Sequence, residues 1–181
     1  RIADLLISME CFGRTEKQAK PYLCESKSPA DFTVCANIES IKEFFSNISE
    51  DDAAYLSTGS NFYRQLLQYN GFMLHSSAVV VDGKAYLFSA TSGTGKSTHT
   101  KLWLQYFGDR AYILNDDKPA LRLVNDKWYA YGTPWSGKND ISVNIGVELA
   151  AIAVLERAEK NVIEPYTGKQ AIFDIYSQVN R

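Results

Sequence analysis

Asp82-Gly83, set between the β-rich runs 77–82 and 84–90, limits the available folds more than any other pair of residues in this chain. Asp-Gly between two such runs is a two-residue hairpin turn. A tight hairpin leaves no freedom of register. Val81 then faces Lys84, Val79 faces Tyr86, Ser77 faces Phe88 and, counting on, His75 faces Ala90. The second run leads into Ala90-Thr91-Ser92-Gly93-Thr94-Gly95-Lys96-Ser97, and residues 97–106 read as a helix. A glycine-rich loop between a strand and a helix is the setting of a phosphate-binding loop. Its strand is antiparallel to the preceding one, so an all-parallel Rossmann sheet is not expected. The expected fold is α/β, with a mixed, largely antiparallel sheet, a P-loop and packed helices.

Glycines let such a loop curl its N–H groups into one concavity, and the dipole of the following helix favours an anion there. The nucleotide-binding candidates are Ser92, Gly93, Thr94, Gly95, Lys96, Ser97 and Thr98. Lys96 reaches for the outer phosphates, and the Ser97 hydroxyl helps to hold Mg²⁺. Alanine replaces the pattern's first glycine at position 90, which a negative φ tolerates. A ten-residue helix descends ~15 Å, and the five residues of 111–115 climb back ~17 Å as a strand. Asp116 and Asp117 therefore return to the level of the loop. There one carboxylate can take a proton from an attacking hydroxyl while the other binds the metal or its water. The bland alternative is a solvated Asp-Asp turn.

His75, brought to the loop by the hairpin, either orients the base, contacts the γ-phosphate, or is a strand histidine bonded within the sheet. His99 has the helical spacing of a surface or packing residue. A second hairpin is expected about Asn125-Asp126, joining 120–124 to 127–131. If its register runs past Pro119, Pro134 and Trp135 lie opposite Asp117 and Asp116. Lys118 and Lys138 are then secondary phosphate contacts, and Trp135 is either a stacking platform or a core residue. Asn115-Asp116-Asp117-Lys118 is not the base-reading motif of GTPases, so ATP is the expected nucleotide.

A formal charge of −2 over 181 residues gives no broad basic surface for nucleic acid or anionic membrane. No apolar run approaches the ~20 residues of a membrane helix. Cys11, Cys24 and Cys35 suit neither a disulfide scaffold nor a zinc site and read as buried or half-buried thiols in a reducing, cytoplasmic setting. Residues 1–70 read as an N-terminal α+β support segment on the substrate side. It has strands at 2–9, 22–24 and 32–36 in a small antiparallel sheet, a helix at 37–47, and a longer helix at 51–69 interrupted near Gly59. Residues 71–181 form the P-loop core, closing with strands at 150–155 and 161–165 and a helix at 168–181.

Across 75–117 the chain resembles the catalytic domain of HPr serine kinase/phosphorylases: His75-Ser76, the hairpin, Ala90 to Ser97, the helix, and Asn115-Asp116-Asp117. It is more distantly similar to ATP-type phosphoenolpyruvate carboxykinases around Ser-Gly-Thr-Gly-Lys and the acidic pair. Taken as a set, Gly-Thr-Gly-Lys-Ser-Thr-His-Thr, Asn-Asp-Asp-Lys-Pro and Gly-Thr-Pro-Trp-Ser-Gly-Lys look most like a divergent branch of HPr-kinase-related bacterial serine kinases. That resemblance implies an ATP/Mg²⁺-dependent kinase acting on a serine hydroxyl of a protein, a peptide or a small molecule. It also implies Asp116 as base, Asp117, His75 and Lys96 beside it, and a homo-oligomer. The Glu-x-Arg-Gly signature that follows the acidic pair in HPr kinases is not evident, which argues against HPr itself as acceptor. The competing expectation is a nucleotide-binding regulatory module with little or no transfer activity.

Overall fold

A computed structural model describes residues 1–179. The first third of the chain holds β1 (Ile7–Met9), α1 (Gly13–Ala19), β2 (Phe32–Val34), α2 (Ile38–Phe44) and α3 (Glu50–Leu66). Then follow β3 (Gly71–Met73), β4 (Ser76–Val81), β5 (Lys84–Ser89), α4 (Lys96–Phe107) and β6 (Ala111–Asn115). The last are β7 (Ala120–Val124), β8 (Lys127–Tyr131), β9 (Gly146–Val154) and α5 (Gly168–Val179). Seven strands form one sheet in the order β3-β7-β8-β9-β5-β4-β6. Only β5 and β9 pair in parallel; the other neighbours are antiparallel.

Both hairpins have the expected register. Their turns take positive φ at both central residues, 49° and 76° at Asp82 and Gly83 and 48° and 62° at Asn125 and Asp126. That is the backbone a type I′ turn requires, and Asp, Asn and Gly enter it at least cost. β4 is buried along its whole length. Val79 and Val81 pack with Phe88 and Ile113 against Trp103, Leu104 and Phe107 of α4. Ala78 and Val80 point to the other face, with Leu87, Leu114 and Leu121. Burial on both faces explains why residues 78–81 of this strand are an unbroken apolar run instead of an alternating one.

α3 is capped by Ser49, whose hydroxyl accepts the Asp52 N–H, with Glu50, Asp51 and Asp52 in the first turn where the helix dipole favours them. The helix passes straight through Gly59, contrary to the expected interruption. The glycine is there for packing: a Cβ would stand 2.9 Å from Cδ1 of Trp135. Trp135 is 1% exposed, stacks on Phe62 at 4.9 Å and donates to Thr58 Oγ1 at 3.3 Å. Its indole is held in the core by these contacts.

Other local expectations are also corrected. The small N-terminal sheet is a parallel pair, β1 with β2. Lys20–Tyr22, with Pro21 inside, is a 3-10 turn where a strand at 22–24 was expected. Residues 161–165 are exposed and form no strand, because nothing packs on Val162 or Ile163. Cys24 and Cys35 are exposed instead of buried. The C-terminal helix is described to Val179; residues 180 and 181 of the expected span lie outside the described residues. Among the described residues no helix is long and apolar enough to cross a membrane.

Candidate functional site

The glycine-rich loop leaves β5 at Ala90, which is 1% exposed and has a negative φ, so the methyl is accommodated. Gly93 and Gly95 take φ of 79° and 119°, the left-handed region that glycine enters freely. The Lys96 ammonium donates to the Ala90 carbonyl at 3.1 Å and so closes the loop on itself. Arg157, beyond β9, donates to the Gly93 carbonyl at 2.9 Å. α4 begins at Lys96, capped by Gly95, so the first N–H groups of the helix, at Lys96, Ser97 and Thr98, face the loop without an intrahelical acceptor. Ser92 and Thr98 are exposed, while Thr94 and Ser97 are half-buried.

The acids reach the same place by a local device at the end of β6. Asn115, fully buried, accepts the N–H groups of Asp117 at 3.0 Å and Lys118 at 2.8 Å on Oδ1. That turns the chain sharply after the strand. Its Nδ2 donates to the Thr133 carbonyl at 3.1 Å and to Ser142 Oγ at 3.2 Å, which ties down the 132–145 loop. A register shift between β4 and β6 at Ala78/Val79 re-aims the strand end.

Asp116 and Asp117 then part company. Asp116 is 9% exposed; Ser77 Oγ donates to its Oδ1 at 2.7 Å and Asn139 Nδ2 to its Oδ2 at 2.9 Å. Both partners are neutral. Ser77 Oγ is also 3.0 Å from Thr100 Oγ1, so a pair of buried hydroxyls links Asp116 to α4 one turn beyond Ser97. Asp117 instead meets His75 Nε2 at 3.2 Å and Lys118 Nζ at 3.0 Å. Burial pushes its carboxyl up, but the His75 hydrogen bond and the Lys118 charge outweigh that and hold its pKa below the ordinary value.

Asp117 therefore makes a pH prediction. A lowered folded pKa contributes stability above the unfolded value of ~3.9, lost as the pH falls through the folded value. Asp117→Asn melts below the native chain at pH 7, and the gap in Tm narrows steadily as the pH is taken from 5 to 2. A gap that stays constant across that range contradicts the assignment.

Ser97, Asp116, Asp117, Lys118, Lys138 and Asn139 line one cavity of about 550 Å³. His75 reaches it through Asp117. His99 is a packing residue: its ring lies 4.5 Å from that of Phe88, its Nε2 accepts from Trp103, and burial pushes its pKa down. The opposite wall comes from the N-terminal third, which the sequence motifs do not reach. Arg14 and Tyr55 stand there, with the guanidinium 3.8 Å above the Tyr55 ring and donating to the Gly137 carbonyl at 2.6 Å. Tyr55 accepts the Gly137 N–H at 3.1 Å, and burial pushes its hydroxyl up to about 12 against that bond and the Arg14 charge. It is a neutral hydroxyl at physiological pH. Of these additions only Ser77 left a trace in the sequence, as a hydroxyl inside an apolar strand.

The donors facing the cavity, Ser97 Oγ and the carboxylates, are hard oxygens of the kind Mg²⁺ takes together with phosphate oxygens and water. No group of three or more His, Cys, Asp or Glu able to hold a metal by itself is found among the described residues. These oxygens suit a divalent ion whose remaining ligands come from outside the protein.

A family model described as SynChlorMet cassette protein ScmC matches residues 46–179, nearly three quarters of the chain. No curated protein matches. Among solved structures, the chain is similar to the Hpr(Ser) kinase/phosphatase from Coxiella burnetii, with a TM-score of 0.38 and 17% identity over 51% of this chain and 64% of that one. This chain thus spans less than two thirds of that protein, in a likeness too loose to bear on activity.

Proposed function

The chain belongs to the SynChlorMet cassette protein ScmC family, and from its site we propose that it is an ATP/Mg²⁺-dependent kinase that phosphorylates a serine hydroxyl on a peptide or protein. One observation carries this reading: Ser97, at the start of the helix that follows the glycine-rich loop, shares a cavity with Asp116, whose carboxylate is tied to that helix through Ser77 and Thr100. Loop and acid are thereby held as one unit, and phosphoryl transfer asks chiefly for positioning and charge neutralisation.

The two acids divide the work by their surroundings. Asp117, whose pKa the His75 hydrogen bond and the Lys118 charge hold low against its burial, suits metal binding with Ser97 Oγ. Mg²⁺ bound there would neutralise charge on the phosphate oxygens. Asp116, met only by neutral donors, takes the proton. As the acceptor oxygen bonds to the γ-phosphorus, its proton passes to the Asp116 carboxylate. The bond from that phosphorus to the β–γ bridging oxygen breaks, and ADP leaves with the electron pair. Loop N–H groups of Gly93 to Ser97 hold the β-phosphate, Lys96 swings to the γ-phosphate, and His75 keeps Asp117 in place. Residues 1–70 supply the acceptor-side wall, and 71–179 the transferring core.

The test is direct. Excess MgATP should raise the Tm, and γ-labelled ATP should pass its label to a serine peptide. A Tm that ignores MgATP removes the reading.

A further inference from the structure

A second cavity, of about 520 Å³, opens beside the first. The two share Tyr55, Leu56 and Lys118 as a common wall. Beyond that wall the character changes. The phosphate-side cavity is bordered by carboxylates, lysines and an arginine, whereas the second is floored by Trp135 and Met73 and rimmed by Phe45, Leu67 and Phe72, with Arg64 and Lys118 as its charged lining residues. Its floor is rigid, because Trp135 is pinned by Thr58 and Phe62, and the Tyr63 hydroxyl donates to the Lys118 carbonyl at the boundary. Its rim is open: Phe45 is 58% and Leu67 62% exposed.

Resting on the kinase reading, we propose that this cavity is the acceptor's specificity subsite, taking a bulky apolar side chain within two residues of the serine that is phosphorylated. Continuity with the transfer cavity selects this occupant. Tyr55 and Leu56 border both cavities, so a chain whose serine lies at Asp116 and which leaves along them sets its neighbouring side chain in the apolar space. Lys118, whose ammonium holds Asp117 while its carbonyl accepts from Tyr63, spans both compartments. Filling the subsite therefore bears on the residue that steadies one of the two acids.

The probes are four acetylated, amidated pentapeptides, Ala-Ala-Ser-X-Ala, with X as Phe, Leu, Ala or Glu, and the mirrored set with X before serine. Wild-type chain with γ-labelled MgATP should favour Phe and Leu over Ala and Glu in at least one set by about tenfold or more in kcat/KM, the discrimination that burying an apolar side chain supplies. Leu67→Glu, at the exposed rim, should bring that ratio close to one while the Ala peptide keeps its rate. Equal rates for all X in the wild type overturn the proposal. So does a preference that survives in Leu67→Glu, or no transfer to any peptide from a chain whose Tm rises with MgATP. A dimer in sedimentation that Leu67→Glu dissociates would assign the cavity to a second copy and also overturn it. A wild-type Tm blind to MgATP instead sinks the kinase reading, and the subsite with it.

Discussion

Asp116→Asn lowers phosphate transfer by about 10²- to 10⁴-fold, the range a positioned general base contributes, and leaves the MgATP-induced rise in Tm in place. The substitution is nearly isosteric. Its side-chain oxygen can still accept from Ser77 Oγ, so the link to Thr100 and α4 survives. What disappears is the capacity to take a proton, one negative charge at the cavity wall and the acceptor for Asn139 Nδ2. Asp117 does not substitute, because His75 and Lys118 occupy its oxygens and lower its pKa. The separation of transfer from binding distinguishes an enzyme from a regulatory nucleotide-binding module. A module has no transfer to lose, and an Asp116→Asn chain that transfers label as fast as the native one refutes the proton-acceptor role. The readout is label transfer to serine peptides alongside a thermal melt of the same preparations.

Lys96→Ala removes most of the stabilisation that MgATP confers. At a nucleotide concentration of about 100 Kd, binding adds ~2.7 kcal/mol. For a domain of this size that is a rise in Tm of roughly 5–10 °C. A charge-assisted hydrogen bond of ~1.5–3 kcal/mol is lost with the ammonium, weakening Kd by about one to two orders of magnitude. At the same MgATP concentration the rise then shrinks to a few degrees at most. The comparison is between shifts, since the lysine's bond to the Ala90 carbonyl also contributes to the unliganded Tm. An undiminished shift in Lys96→Ala would mean that nucleotide binds elsewhere.

The parts of this protein legible in its sequence are those set by neighbours in the chain. Asp82-Gly83 and Asn125-Asp126 specify type I′ turns, and a type I′ turn specifies register, so four strands and their pairing could be read directly. Asn115-Asp116-Asp117 at a strand end carries its own turn, because the asparagine side chain reaches the two N–H groups that follow. The missed features join distant segments. Gly59 resembles a helix breaker until the indole of Trp135 is laid on it. Arg14 has no motif around it, and its place on the cavity depends on the carbonyl of Gly137, over a hundred residues away. The parallel pairing of β5 with β9 likewise has no tight turn to announce it.

The glycine-rich loop, the helix behind it and the return of two acids to its level follow from residue order alone, through backbone conformations that Gly, Asp and Asn adopt cheaply and through the fixed rise per residue of helix and strand. The difference between the two acids does not. Asp116 and Asp117 are chemically identical neighbours, and only folding surrounds one with Ser77 and Asn139 and the other with His75 and Lys118. The behaviour of a carboxylate depends on the charges and dipoles within a few ångströms of it. In this protein those come from strands and loops that meet only when the sheet has formed.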